Sequence, residues 1–189
     1  MNKTLLQIWE DMPAKTDKGD LHSYLPVYEE ILAPYRYTAK NILEIGIFGG
    51  ASLLLWEEYF SGKVHGIDCS ETPHDGLADL RPLIKSGDHN IYIGDAESED
   101  FIKKHFKGMK FEVVVEDAGH NIYQQISIYY TLKPYLSKGS IYIIEDVQDI
   151  DGTRDMLQNI DPDKSVMVWD RRNAKQRYDD VLVIITDKI

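Results

Sequence analysis

The sequence predicts an α/β protein built on a doubly wound, mostly parallel sheet of seven strands with an antiparallel hairpin at one edge. Three observations predict it. Short apolar runs alternate with segments of helical periodicity along the 189 residues, the pattern of strands and crossover helices in a parallel sheet. Strand after strand stops at an acid, namely Glu44, Asp68, Asp95, Asp117 and Asp146. In open sheets of this kind the ligand crevice lies outside the carboxyl ends of the strands. The last two apolar runs are joined by a polar segment with no helical pattern, which predicts a hairpin and therefore an antiparallel strand at the edge.

In chain order, Leu5, Leu6, Ile8, Trp9 and Met12 have helical spacing and predict a short amphipathic helix. Thr16 to Asp20 is a polar turn, followed by a helix through Leu32 that Pro34 ends. Asn41 to Ile45 is the first core strand and Ser52 to Phe60 its crossover helix. Val64 to Asp68 is the second strand. Residues 70–90 read as loop and helix, with Pro73, Gly76, Pro82 and Gly87 as breakers. Asn90 to Ile93 and Phe111 to Val115 are the third and fourth strands, with a helix over Phe101 to Phe106 between them. A long helix over Gln124 to Leu136, a fifth strand over Ser140 to Ile144 and a helix over 151–160 follow. Val166 to Trp169 and Val181 to Thr186 are the last two strands, with the polar segment Arg171 to Asp180 between them. No repeat or linker divides the chain. It reads as a single domain, 1–189, with an N-terminal helical cap segment, 1–38, on a Rossmann-like core, 39–189.

Composition limits the partners. Apolar residues make up 43% of the chain, as in a folded globular protein. The formal net charge of −11 argues against a nucleic-acid or anionic-membrane surface, since phosphate binding wants Lys and Arg. A single cysteine, Cys69, cannot form an internal disulfide and points to a reducing, cytoplasmic setting. No apolar run approaches the roughly 20 residues needed to span a bilayer. The first residues, MNKTLLQIWEDMPAK, do not have the pattern of a secretion signal.

The stretch Asn41 to Ser52, NILEIGIFGGAS, reads as buried strand, glycine turn and helix start. Glycines there let the backbone approach a ligand closely, and the helix N-terminus offers free N–H groups. Asp68 follows roughly 20 residues later, at the position where a carboxylate takes ribose hydroxyls. The dinucleotide pattern G-x-G-x-x-G is not met, because Glu44 stands two before Gly46. A ligand with ribose but no pyrophosphate fits better. Asp95, after the third strand, is placed to orient an adenine.

Glu44-Ile45-Gly46 with Gly50 and Ser52, then Asp68, then Gly94-Asp95, resembles the S-adenosylmethionine site of class I methyltransferases. A narrower resemblance follows. Asp117-Ala118-Gly119-His120, then Glu145-Asp146, is similar to the metal-dependent sugar O-methyltransferases of macrolide and related pathways, which carry Asp-Gly-Ser-His and Glu-Asp. Thr16-Asp17-Lys18-Gly19 with His22 and Tyr24, and Arg177-Tyr178-Asp179-Asp180, also resemble this group. Ala118 and Gly119 depart from its pattern, and the extra N-terminal domain of some members is not expected within these 189 residues. The resemblance implies S-adenosylmethionine held by Glu44, Gly46, Gly50, Ser52, Asp68 and Asp95, with Lys18 on its carboxylate. It implies one divalent metal, Mg²⁺ before others, on Asp117, Glu145 and Asp146. His120 would act as general base on a hydroxyl of a sugar-like small molecule. Homo-oligomers are an expectation too, since related enzymes are often oligomeric.

The residues themselves leave other readings open. A hard cation wants oxygen ligands, and adjacent strand ends about 5 Å apart let carboxylates converge. Glu145 and Asp146 also suit helix N-caps, and His120 suits a packed helix start. Glu116 is expected to point away from the site, because side chains alternate. His22, Tyr24 and Tyr28 either close the cofactor pocket or pack as a helix face. Cys69 reads as structural, and His65, His74, His89 and His105 show no ligand spacing. Tyr123, Tyr129, Tyr130 and Tyr135 read mostly as the buried side of a helix. Arg171, Arg172 and Arg177 either meet an anionic substrate group or offset nearby acids. Two other functions compete: a metal-dependent hydrolase or hydroxylase on the same carboxylates, and a non-catalytic binder of a nucleotide-like ligand.

Overall fold

The computed structural model describes residues 3–72, 78–83 and 90–188. Its sheet contains β1 (Asn41–Ile45), β2 (Lys63–Asp68), β3 (Ile91–Ile93), β4 (Phe111–Glu116), β5 (Leu136–Ile144), β6 (Lys164–Asp170) and β7 (Val181–Asp187) in the order β3-β2-β1-β4-β5-β7-β6. The first five run parallel, and β7 is antiparallel to both β5 and β6. The expected hairpin is present, and the reversed strand lies one in from the edge, with β6 outside it. β7 is fully apolar and buried from Val181 to Ile185, whereas β6 is only partly buried. The more apolar strand takes the inner place, since both its faces are covered.

The helices are α1 (Leu5–Asp11), α2 (Asp17–Asp20), α3 (Leu25–Leu32), α4 (Ala51–Tyr59), α5 (Glu99–Phe106), α6 (Ile122–Leu132), α7 (Ile150–Ile160) and α8 (Arg172–Lys175). Two differ from expectation in kind. Thr16 to Asp20 forms the single turn α2 and not an open turn, and α8 lies within the polar segment expected to be loop. The helix expected to run on to Leu136 stops at Leu132, where Pro134 tightens the chain into a 3₁₀ turn and β5 then starts early. Of residues 70–90, Arg81–Leu83 form a 3₁₀ turn. Pro73, Gly76, Gly87, His74 and His89 lie outside the described residues.

Two apolar clusters cover the sheet. On one side Leu5, Ile8, Leu25, Val27 and Leu32 of the N-terminal helices pack with Trp56 and Tyr59 against Ile42, Val113, Ile143 and Ile184. On the other, Ile102, Phe106, Ile128, Tyr129 and Leu157 pack against Leu43, Val114, Tyr142 and Val183. Strand neighbours of alternate parity thus supply opposite layers, as the pleat requires. Of the four tyrosines expected on the buried side of α6, Tyr129 is buried, but Tyr123 and Tyr130 are exposed. They sit six residues before and one residue after Tyr129, off its stripe. Cys69 is exposed and not packed in the core. His65 is buried against Phe106, Phe111 and Tyr92. Burial pushes its imidazole pKa down to about 4. Among the described residues, no helix is long and apolar enough to cross a membrane.

Candidate active site

The strand order reverses direction between β1 and β4, so their carboxyl ends open the crevice where ligands bind in such sheets. The chain turns there on glycine. Gly46 has φ +82° and Gly50 φ +88°, a region other residues avoid. Gly46 is also pressed on β4: a Cβ there would overlap the Asp117 carbonyl oxygen and lie 2.8 Å from the Ala118 Cα. Gly50 caps α4, whose N-terminus receives no side-chain cap.

On the β2 side of this turn, Asp68 accepts from the Phe48 N–H and the Ser70 N–H, both at 2.9 Å. It stays half-buried, with its carboxylate beside the glycine turn. Asp95 is exposed at the end of β3 and accepts from the Glu97 N–H. Both carboxylates thus lie on the β2–β3 side of the turn. Glu44 and Ser52 face inward. The Ser52 hydroxyl donates to Glu44 Oε2 at 2.6 Å, and Glu44 is fully buried.

On the β4–β5 side lie Asp117, His120, Glu145 and Asp146. Each lies within one to four residues of a strand end, so the parallel register of β4 and β5 brings them together. His120 Nε2 is 3.5 Å from both Asp117 Oδ1 and Asp146 Oδ2. One ligand atom from each of Asp117, His120 and Asp146 lies within 4.8 Å of the others. Asp146 adopts φ +55°, as Phe48 adopts +52°. Such strain in non-glycine residues clusters at functional sites. The Tyr24 hydroxyl holds Asp146 in this conformation by donating to its Oδ1 at 2.6 Å, while the Asp146 N–H donates to the Tyr24 hydroxyl oxygen at 3.3 Å. Glu145 faces elsewhere: the Tyr28 hydroxyl donates to its Oε1, and Lys18 Nζ lies 2.8 Å from that atom.

Lys18 is the residue whose place sequence reasoning missed. Its side chain is buried, with Nζ at 2.7 Å from Asp117, 2.8 Å from Glu145 and 3.3 Å from Glu44. Three strands thus each present a carboxylate to one ammonium. In sequence Lys18 sits in a polar turn, and its partners are distant along the chain. His22 Nδ1 lies 3.3 Å from Asp146 without a hydrogen bond, and its ring stacks on Tyr24, so Tyr24 and Tyr28 serve the carboxylates directly and His22 packs beside them. Arg172 and Arg177 pair with Asp170 and Asp179, which is the acid-offsetting alternative. Arg171 donates to Ser23 Oγ.

Charge is unevenly shared in the cluster. Burial pushes Lys18 toward the neutral form, but Asp117, Glu145 and Glu44 outweigh it and hold the ammonium well above the ordinary lysine range. Burial likewise opposes the Asp117 charge, yet Lys18 and His120 keep its carboxyl below its usual range. Burial drives Glu145 well up against the pull of Lys18, and Asp117 and Asp146 add to the rise. Asp146 is raised by burial and then by Asp117. The hydrogen bond to Asp117 raises His120. Glu116, buried beneath, is pushed up to about 8 by burial, and its Oε1 accepts from the Ala118 N–H. The site therefore holds more carboxylates than cations, and converging carboxylate oxygens are a donor set that accepts a hard divalent ion.

The fold is that of the class I S-adenosylmethionine-dependent methyltransferases. MycE methyltransferase from the mycinamycin biosynthetic pathway, solved in complex with Mg and SAH, superposes with a TM-score of 0.74 at 19% identity, covering 99% of this chain and 55% of that one. An O-methyltransferase from Bacillus cereus in complex with SAH gives 0.66 at 21% identity, covering 98% of this chain and 90% of that one. In sequence the chain resembles the sugar O-methyltransferases of that class. It is 31% identical over 137 residues to the mycinamicin VI 2''-O-methyltransferase of Micromonospora griseorubida, covering 68% of this chain and 32% of the relative. It is 28% identical over 141 residues to the 8-demethyl-8-alpha-L-rhamnosyl tetracenomycin-C 2'-O-methyltransferase of Streptomyces olivaceus, covering 70% and 35%. The chain thus spans about a third of the length of these curated relatives. No family model matches the sequence.

Proposed function

We propose that the chain is an S-adenosylmethionine-dependent, divalent-metal-assisted O-methyltransferase acting on a hydroxyl of a sugar or other polyhydroxylated small molecule. The observation that carries this reading is the convergence of Asp117, His120 and Asp146 on the crevice side of the glycine turn. S-adenosylmethionine supplies a sulfonium-activated methyl group, and a divalent ion such as Mg²⁺ supplies Lewis acidity that lowers the pKa of a hydroxyl. Gly46 and Gly50 let the backbone approach the cofactor, Asp68 accepts its ribose hydroxyls, and Asp95 lies by its base. Asp117 and Asp146 present oxygen ligands to the ion. Glu145 joins them where its carboxylate is released from Lys18 and Tyr28.

His120 takes the proton from the acceptor hydroxyl. Its side chain is 36% exposed and open to substrate on one face, while Asp117 orients the ring and stabilises the imidazolium that forms. Tyr24 and Tyr28 fix the carboxylates and do not touch the acceptor. The relatives' names, which specify sugar hydroxyls, support the substrate class.

Calorimetric titration with S-adenosylhomocysteine, once with Mg²⁺ and once with chelator, tests the cofactor. Methyl transfer to a panel of free and nucleotide-linked sugars tests the chemistry. His120→Ala is expected to cut turnover by about 10²–10⁴-fold and to leave S-adenosylhomocysteine affinity unchanged. Absence of binding under both conditions would overturn the reading.

A further inference from the structure

Burying an ammonium without water is costly, and chains keep one only where close anions compensate. Lys18 is 0% exposed, and every charged group that faces it is a carboxylate at a strand end. Its backbone is fixed from both sides. The Trp9 indole donates to the Thr16 carbonyl at 2.9 Å. Lys175 Nζ, from α8, donates to the carbonyls of Gly19, Asp20 and His22, each at 2.7 Å. The ammonium is therefore placed, not merely tolerated.

Asp117 divides its oxygens between two roles. Oδ2 lies on Lys18 at 2.7 Å, and Oδ1 turns toward His120 at 3.5 Å and so toward the Asp146 half of the cluster. A divalent ion taken up by Asp117 and Asp146 would share a carboxylate with this ammonium. Like charges on one carboxylate repel strongly in a site shielded from water. We propose that Lys18 is the resident cation of the carboxylate cluster and competes with a divalent ion for Asp117 and Glu145, so that Lys18 sets how tightly the site takes metal. The proposal rests on the reading that these carboxylates receive a divalent ion. It makes Lys18 a positioning residue that need not touch substrate. Bound metal then exchanges with the medium, because a cation built into the chain always stands ready to replace it.

The test is titration of the purified protein with Mn²⁺, with free ion counted by electron paramagnetic resonance, so no turnover is needed. Lys18→Met is expected to bind Mn²⁺ at least about tenfold more tightly than the parent. Lys18→Arg, which keeps the charge, is expected to stay near the parent. Asp146→Asn is expected to bind at least about tenfold more weakly. If Asp146→Asn weakens binding but Lys18→Met binds no more tightly than the parent, the competition is refuted and the metal site stands. If neither parent nor Lys18→Met binds, or Asp146→Asn binds as the parent does, the metal reading itself falls. Should circular dichroism show Lys18→Met unfolded, the double variant Lys18→Met/Glu44→Gln replaces it. That variant removes one buried anion together with the cation, and the same tightening is expected of it.

Discussion

Replacing Gly46 by alanine tests the joint between the glycine turn and β4. The residue sits at φ +82°, where an L side chain costs roughly 1–2 kcal/mol. The added Cβ would also lie 2.6 Å from the Asp117 carbonyl carbon and 2.8 Å from the Ala118 Cα. Those atoms are backbone and cannot rotate away. The Gly46 N–H bonds the Ile67 carbonyl at 2.9 Å, and the Asp117 N–H bonds the Ile45 carbonyl at 2.8 Å, so both chains are pinned. Overpacking of this kind adds about 1–3 kcal/mol. Gly46→Ala should therefore lose about 2–5 kcal/mol, a large share of a typical domain's stability. Urea unfolding measures it as a lower midpoint at constant slope. Gly119→Ala is the control. A Cβ there overlaps Gln124 Oε1, but that is the tip of a flexible side chain at the start of α6. The control should cost under about 1 kcal/mol, within the range of ordinary surface changes. A loss below about 1 kcal/mol for Gly46→Ala, or an equal loss for both, would refute the reasoning.

Other predictions follow from buried groups. His65 is neutral in the fold with its pKa lowered from 6.5 to about 4, so the unfolded chain binds its proton first as pH falls. Its share of stability is complete above about pH 6.5 and is lost between there and about pH 4, by up to roughly 3 kcal/mol. His65→Leu should flatten that part of the stability–pH curve, and an unchanged slope would count against it. Asp180, fully buried, accepts from the Ser23 N–H at 3.0 Å and the Ser23 hydroxyl at 2.7 Å. Asp180→Ala strands both donors and should cost about 2–4 kcal/mol by chemical denaturation, with residues 17–24 losing amide protection first. Tyr24→Phe removes the donor that holds Asp146 in its strained conformation. It should lower kcat about tenfold or more while S-adenosylhomocysteine affinity holds, and an unchanged kcat would show the strain to be incidental.

The sheet and its functional edge were legible because they rest on local patterns. Asn41 to Ile45 reads as a strand from its apolar run and the glycines beyond it, and the structure places β1 over those residues. The convergence of Asp117, His120 and Asp146 follows once β4 and β5 are recognised as neighbours, since each residue lies at or just past a strand end. Lys18 was not legible in the same way. Thr16-Asp17-Lys18-Gly19-Asp20 has the composition of a solvated turn, and what buries the lysine is a carboxylate 99 positions away. The direction of Glu145 was hidden for a related reason. Its neighbour in sequence, Asp146, faces His120, while Glu145 turns to Tyr28 and Lys18, and only the opposing N-terminal segment decides which goes where. The two short helices were missed because a single turn carries no periodicity to detect. Tyr123 and Tyr130 share α6 with the buried Tyr129, but their spacing from it turns them off its apolar stripe toward solvent.

The bond from Ser23 to Asp180 joins residues 157 positions apart, and that from Tyr24 to Asp146 joins residues 122 apart. During synthesis, at about 5–20 residues per second, residues 17–28 leave the ribosome roughly ten to thirty seconds before their partner at position 180 has been made. The carboxylates that face Lys18 are all made by then, but until position 180 is reached Ser23 lacks the anchor that ties this segment to the far end of the sheet. The site is therefore sealed by the opening and closing stretches of the described chain at once. A nascent chain halted before position 180 would carry the glycine turn, Lys18, the two tyrosines and the acids of β1 to β5, yet it would lack the Asp180 clasp on Ser23 that fastens them together.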